Sequence, residues 1–321
     1  MLIEVWADVV CAWAYIGKRR LERALAGWSG PAVRVQWLPY RIDPTAPATA
    51  EPLDEALRDP VVDGALRHCA PGLSPAENRV RVSRIAAEEG LGPRWGAAWR
   101  TSSHDAHRLI AAAYRDGGPA AQDAVVERVL RAHFVEAADI GDPATLAGIA
   151  RAAGIAPLPA GAGDTELREL LLRGRAVGVR TSPTLVVGGR ALAGAQPPEV
   201  IAQFLHAAAG DPPRRVPPEV QRLRQAESLL DQGDPLGALT LLDALLSAHG
   251  DDRGVRLLAA RAYVASASLG RARAALERLV AEEPGDAYLR LLLGRVLRRQ
   301  GHPEQAAGQL RLAAAMAPAY D

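Results

Sequence analysis

From Glu219 onward the chain repeats itself every 34 residues, and no other feature constrains its fold as much. Leu223, Leu257 and Leu291 fall in register, as do Ala226, Ala260 and Gly294. So do Ala238, Ala272 and Ala306, and then Leu242, Leu276 and Leu310. The units end at Gly250, Pro284 and Pro318. A period of this length is one helix–turn–helix unit, which cannot bury its apolar face alone, so units in series predict a stack. Small residues recur where paired helices must approach closely, and Pro recurs where the second helix must stop. Gly233-Asp-Pro and Gly301-His-Pro supply turns between helices. A generic Ala- and Leu-rich bundle would explain the helices but not the shared register.

This register resembles the tetratricopeptide repeat. The resemblance implies an all-α array of three repeats over residues 219–321, with a concave face that recruits a protein partner. Ahead of it, Gly210-Asp-Pro-Pro-Arg-Arg-Val-Pro-Pro218 reads as a semi-rigid linker over residues 210–218. All six Trp, at positions 6, 13, 28, 37, 95 and 99, precede that linker, which places a domain boundary there and a first domain over 1–209.

The first domain mixes periodicities. Leu2 to Ala7 reads as a buried strand, about Trp13 to Ala26 as a helix, and Val33 to Leu38 as a second strand. Residues from about 75 to 178 read as an inserted set of helices, with Ser102-x-x-Asp105 offered as a capping box. Thr184–Val187 and Ala191–Ala193 flank Gly188-Gly189 as a hairpin, and a helix runs from about Pro197 to Ala209. The order β-α-β, helical insertion, β-β-α predicts an α/β class for this part.

With 321 residues, 49% of them hydrophobic and 23% charged, each domain has material for a core, and a disordered chain is excluded. The formal net charge of +1, with signs interspersed, removes the electrostatic footprint of a nucleic-acid binder. No apolar run reaches the roughly 18 residues a membrane span needs, and the chain opens on a strand rather than on a basic segment and an apolar one. The expectation is a cytoplasmic protein with neither nucleic-acid nor membrane partners. Two cysteines, Cys11 and Cys69, exclude a disulfide framework and a zinc site built on three or four thiolates. In Arg67-His68-Cys69, one His and one Cys fall short of a metal site, so no metal is expected.

Cys11 lies where a strand gives way to a helix, in Asp8-Val-Val-Cys-Ala-Trp-Ala-Tyr15. Unsatisfied N–H groups and the partial positive charge of a helix start stabilise a thiolate, which makes Cys11 a candidate nucleophile. Position alone equally allows a small buried hydrophobe. The wider pattern adds to this. Cys11-Ala-Trp-Ala14 followed by Tyr15-Ile-Gly-Lys-Arg-Arg-Leu-Glu22 resembles the active-site segment of the FrnE-like branch of the DsbA family. Arg41-Ile-Asp-Pro44, Asp105-Ala-His-Arg-Leu109 and Gly194-Ala-Gln-Pro-Pro-Glu-Val200 match in order, and Gly178-Val-Arg-Thr-Ser-Pro-Thr184 falls at the family's cis-proline loop. The resemblance covers roughly residues 1 to 209. It implies a thioredoxin-like fold with an inserted helical subdomain, and thiol–disulfide oxidoreductase activity.

The same resemblance assigns Ala12, Trp13, Ala14, Ser182 and Pro183 to the active-site wall or substrate contact, with Pro183 cis and facing Cys11. It also places His107, Arg108 or both beside the substrate. Without it, Pro183 reads as a strand-start proline and His107 as a packed helix residue. The departure from the family is as plain as the match: Ala12 and Ala14 stand where the motif has Pro and its second Cys. A dithiol enzyme resolves a mixed disulfide with that second thiol, and here the motif has none. Cys69 is either a remote resolving thiol or an unrelated loop cysteine.

Three readings of function follow. In the first, Cys11 alone shuffles or reduces disulfides of protein or peptide clients. No cofactor is bound, although a low-molecular-weight thiol such as glutathione could release the mixed disulfide, and the repeats recruit a protein partner. In the second, the protein is a redox-inactive co-chaperone or scaffold similar in layout to the YbbN-type thioredoxin–tetratricopeptide proteins. The third is a glutathione-dependent isomerase or kappa-class transferase, where a single Ser or Cys at the helix start suffices.

Overall fold

The computed structural model describes residues 1–62, 72–210 and 216–320. The chain divides into two compact units, Met1–Gly174 with Val179–Arg214, and Arg175–Gly178 with Arg215–Asp321.

The first unit opens with β1 (Leu2–Ala7), α1 (Ala12–Ala26) and β2 (Arg34–Pro39). An insertion follows: β3 (Glu51–Pro52), the single turn α2 (Leu53–Ala56), α3 (Pro75–Glu88), β4 (Trp99–Arg100), α4 (His104–Phe134), α5 (Pro143–Ala152) and α6 (Asp164–Ala176). The chain then returns through β5 (Thr184–Val187), β6 (Arg190–Ala193) and α7 (Pro198–Ala209). The sheet runs β2-β1-β5-β6, with β1 and β2 parallel and the other neighbours antiparallel. Its strand β1 buries Ile3, Val5 and Ala7 on one face and Trp6 on the other because both faces are covered. Ile3, Val5 and Ala7 pack on one side with Ile16 and Leu21 of α1, Val125 and Val129 of α4, and Ile201 and Leu205 of α7. Trp6 faces the other side with Leu38 and Val179. Gly188 and Gly189 have φ of 59° and 86°, the left-handed pair that a two-residue hairpin turn requires.

The insertion begins earlier than residue 75, because β3 pairs with β4 and α2 follows β3 directly. Two-residue strands are too short to leave a periodic signal. The capping box also lies elsewhere. Ser74 accepts from the Glu77 N–H and Glu77 accepts from the Ser74 N–H, closing the start of α3. At the start of α4 the N-cap is Ser103 with no side-chain cap, and the Ser102 hydroxyl accepts from the His104 N–H at 3.3 Å instead. Within α4, Gly118 at φ 72° followed by Pro119 bends the helix into two runs. The second run carries Gln122 to the open side of β2. Its Oε1 accepts from the Trp37 N–H at 2.8 Å, and its Nε2 donates to Trp37 O at 2.9 Å and Ile110 O at 3.2 Å.

The second unit is helical: α8 (Pro218–Asp231), α9 (Pro235–Ala248), α10 (Arg253–Ala265), α11 (Leu269–Glu282), α12 (Ala287–Arg299) and α13 (Pro303–Met316). The second helix of each pair starts at Pro235, Leu269 and Pro303, at the 34-residue spacing of the sequence. Ala226, Ala238, Ala260, Ala272 and Ala306 are buried at the helix contacts. A Cβ on Gly294 would stand 2.7 Å from Leu310 Cγ, so this close approach admits glycine alone. The inter-helix turns place Gly233, Ala267 and Gly301 in the left-handed region, at φ of 79°, 57° and 80°. Asp234, Asp252 and Asp286 cap the helices that follow them. Among the described residues, no helix is long and apolar enough to cross a membrane.

Candidate active site around Cys11

Cys11 is the N-cap of α1, with φ −88° and ψ 116°, and its own N–H closes the preceding turn onto Asp8 O at 3.0 Å. The thiol donates to the backbone oxygen of Ser182 at 3.5 Å, and the Ser182–Pro183 peptide bond is cis. Gly17 makes this approach sterically open. A Cβ there would lie 3.0 Å from Pro183 Cγ and 3.4 Å from Ala195 Cβ, so the bare backbone lets the proline loop close on α1. Ala14 is fully buried and donates its N–H to Cys11 O at 2.9 Å, presenting a methyl group where the family motif has a thiol. Ala12 and Trp13 are half-buried against the core, with the Arg81 guanidinium 5.5 Å above the Trp13 ring. Among the described residues Cys11 is a free thiol. Cys69 and its neighbour His68 lie outside the described residues.

The electrostatics depart from the expectation of a stabilised thiolate. Cys11 is 8% exposed, and burial pushes its thiol up to about 11. The Ser182 side chain pulls the other way, while the Asp8 carboxylate adds to the rise. Desolvation therefore outweighs the helix start, and the resting sulfur is protonated at neutral pH.

Asp8 is fully buried where β1 ends. Its N–H donates to Ser182 Oγ at 2.9 Å, its Oδ2 accepts from the Ile42 N–H at 2.7 Å, and its Oδ1 lies 3.2 Å from His107 Nε2. His107, 3% exposed, is thus brought beneath the thiol loop. Arg108 is not. Adjacent helical residues point about 100° apart, and Arg108 spends its guanidinium on Ala162 O, Pro159 O, Asp105 and Asp164. It holds the 159–164 loop rather than lining the site. Tyr40 donates its hydroxyl to Arg180 O at 2.9 Å, and its phenol is pushed up by burial and then by Asp8 and Cys11. Neither Asp8 nor Tyr40 is among the site residues expected from the sequence. The available signal was Asp8 itself, an acid inside the apolar run Val5-Trp-Ala-Asp-Val-Val10.

Among the described residues, no group of three or more His, Cys, Asp or Glu could hold a metal ion. A cavity of about 360 Å³ is lined by Lys18, Leu21, Val35, Trp37 and Asp123 among others, and Cys11 takes no part in it. Lys18, 3% exposed, is ion-paired there with Glu22, Asp123 and Glu127.

Chemically, the site offers one sulfur, a backbone carbonyl beside it from the proline loop, and a buried carboxylate–imidazole pair behind it. Both units have counterparts among known proteins. Residues 229–288 match the tetratricopeptide repeat, a module that generally mediates protein–protein contact. A probable DsbA oxidoreductase from Streptomyces coelicolor is 25% identical with a TM-score of 0.55, over 68% of this chain and 92% of that one. More distant are a 2-hydroxychromene-2-carboxylate isomerase (15% identity, TM-score 0.46, 64% and 94% covered) and the cytosolic disulfide reductase DsbM of Pseudomonas aeruginosa (20%, 0.39, 64% and 98%). No curated protein sequence matches the chain. Residues 2–206, well over half of the chain, match the DSBA-like thioredoxin domain, and the protein belongs to that family.

Proposed function

We propose that the protein is a thiol–disulfide exchange protein of the FrnE-like branch that works through Cys11 alone. The observation that carries this reading is the Cys11 sulfur at the α1 N-cap, 3.5 Å from the Ser182 carbonyl of the cis-proline loop, with Ala14 in place of a resolving thiol. The Cys11 thiolate attacks one sulfur of a client disulfide, a mixed disulfide forms, and the other client sulfur leaves as a thiolate that takes up a proton. If the client's own thiol then displaces Cys11, the bond has been shuffled with no net transfer of electrons. Two equivalents of a low-molecular-weight thiol, such as glutathione, instead yield a reduced client and the small thiol's disulfide. A thiol near 11 is a poor leaving group, so attack on the client's sulfur of the mixed disulfide, which expels Cys11, is slow. The reading includes a cytoplasmic setting, where small thiols are abundant, and a repeat array that recruits a protein partner on its concave face.

The test is trapping. Alkylating a lysate at low pH and purifying the tagged chain should yield defined disulfide-linked clients, absent from Cys11→Ser. If none is found with either protein, the exchange reading is refuted.

A second reading is favoured by the 8% exposure of Cys11 together with Ala14. In it, the chain is a redox-inactive holding protein or scaffold. Suppression of client aggregation by a Cys-free variant as effectively as by the native chain supports that reading over the first.

A further inference from the structure

The three repeats differ sharply in charge. Residues 219–252 hold seven acids against two arginines, residues 253–286 six arginines against four acids, and residues 287–320 five arginines against one glutamate. The change shows on one face of the first helix of each repeat, where residues three and four apart lie together. That face reads Leu223, Glu227 and Leu230 on α8, then Leu257, Arg261 and Val264 on α10, then Leu291, Arg295 and Arg298 on α12. Between the first two repeats the charges match. The Arg261 guanidinium reaches back one repeat to Glu227 Oε1 at 3.1 Å and Asp231 Oδ1 at 3.5 Å, two carboxylates four residues apart on α8. Arg295 stands one repeat further on, and the residues that occupy the places of those acids behind it are Arg261 and Ala265. Among the described residues, Arg295 and Arg298 are exposed and have no carboxylate partner. The neighbouring Arg299 is exposed too, and donates to Val264 O at 2.9 Å. Like charges gathered in this way repel one another, so an acid from outside the repeats gains by binding there.

We propose that this arginine face of the third repeat binds an acidic polypeptide segment. Its carboxylates stand toward Arg295 and Arg298 as Glu227 and Asp231 stand toward Arg261, and its apolar side chains rest on the half-buried Leu257 and Val264. This rests on the repeats being the recruiting module and is independent of the chemistry of Cys11. Charge complementarity selects the occupant. A second copy of the chain fits poorly, because its Glu227 and Asp231 are already engaged by its own Arg261. A long polyanion such as a nucleic acid fits poorly too, since it would run from the third repeat onto the seven acids of the first.

The test is fluorescence anisotropy on the full chain with three labelled probes: a Glu/Leu peptide, the same peptide with Gln for Glu, and a single-stranded oligonucleotide of the acidic peptide's charge. The acidic peptide should bind best, and its affinity should fall as salt rises. Arg295→Glu combined with Arg298→Glu should weaken it about tenfold. Arg311→Glu, a charge reversal on α13 away from this face, should leave it within about twofold. If the double variant does not fold, Arg295→Gln with Arg298→Gln is read in its place, and the salt dependence is read on the native chain. Equal binding by native and doubly substituted chains overturns the assignment. So does an oligonucleotide that binds as tightly as the acidic peptide and is lost with the same substitutions. A Gln peptide that binds as tightly as the acidic one removes the charge assignment and leaves recruitment by the repeats standing, whereas no binding by either peptide removes both.

Discussion

The acidity of Cys11 translates into a rate. The perturbation is pH, applied to the native chain. With the thiol at about 11, the thiolate fraction at pH 7 is about 10⁻⁴. An ordinary cysteine, near 8.5, is about 3% ionised at pH 7. That alone slows alkylation about 300-fold, but a more basic thiolate is intrinsically more nucleophilic. A Brønsted slope of about 0.45 returns a factor of about 13, leaving Cys11 about 25-fold slower than a free thiol. The low exposure of the sulfur can only slow it further. The assay is alkylation by a small uncharged haloacetamide from pH 6 to 11, with rates at the Cys11 peptide referred to a model thiol in the same tube. The logarithm of the rate should climb by one per pH unit through pH 10 and bend near 11. A plateau below pH 9, or a rate at pH 7 matching the free thiol, would refute the claim that desolvation outweighs the helix start. Stability should register the same protonation. The native state holds this proton to higher pH than the unfolded chain, so between about 8.5 and 11 unfolding takes it off and stability falls as pH rises. The loss totals about 3 kcal/mol and is missing from Cys11→Ser.

Two further predictions concern the units themselves. Gln122→Leu strips both Trp37 main-chain groups of their partners, and buried orphans cost about 1–3 kcal/mol each, partly offset by the apolar side chain. Urea unfolding should show a net loss of about 2–4 kcal/mol, and a change under 0.5 kcal/mol would show that the carboxamide does not matter. Ala267→Gly replaces the non-glycine residue of a left-handed turn whose equivalents 34 residues away are Gly233 and Gly301. Relief of about 1–2 kcal/mol exceeds the added freedom of the unfolded chain. The thermal transition of the repeat unit should therefore rise, and a fall would locate the turn's strain elsewhere.

The extent to which the sequence disclosed the site follows the range of the interactions involved. β1, β5 and α7 are readable because their residues carry the burial pattern within a few positions of one another. The repeat is readable because Ala226, Ala260 and Gly294 meet the same packing demand three times. Cys11 is marked by its place at a helix start, but its meeting with the Pro183 loop is reached through the resemblance alone, since 171 residues separate the thiol from its acceptor. Adjacent His107 and Arg108 share a motif, and only the rotation of α4 decides which of them meets Asp8. Asp8 itself becomes meaningful when Ile42, His107 and Ser182 arrive from three other segments. The acidity of Cys11 is a property of the surrounding volume, and a local reading of the helix start has the wrong sign.

The pairing of Gln122 with Trp37 reaches beyond stability. β2 is an outer strand, and an open strand edge is a template on which another chain can add. One carboxamide from the insertion occupies the donor and the acceptor that such an intruder would need at the middle of that strand. The insertion therefore closes the middle of the β2 edge, at Trp37, to strand addition.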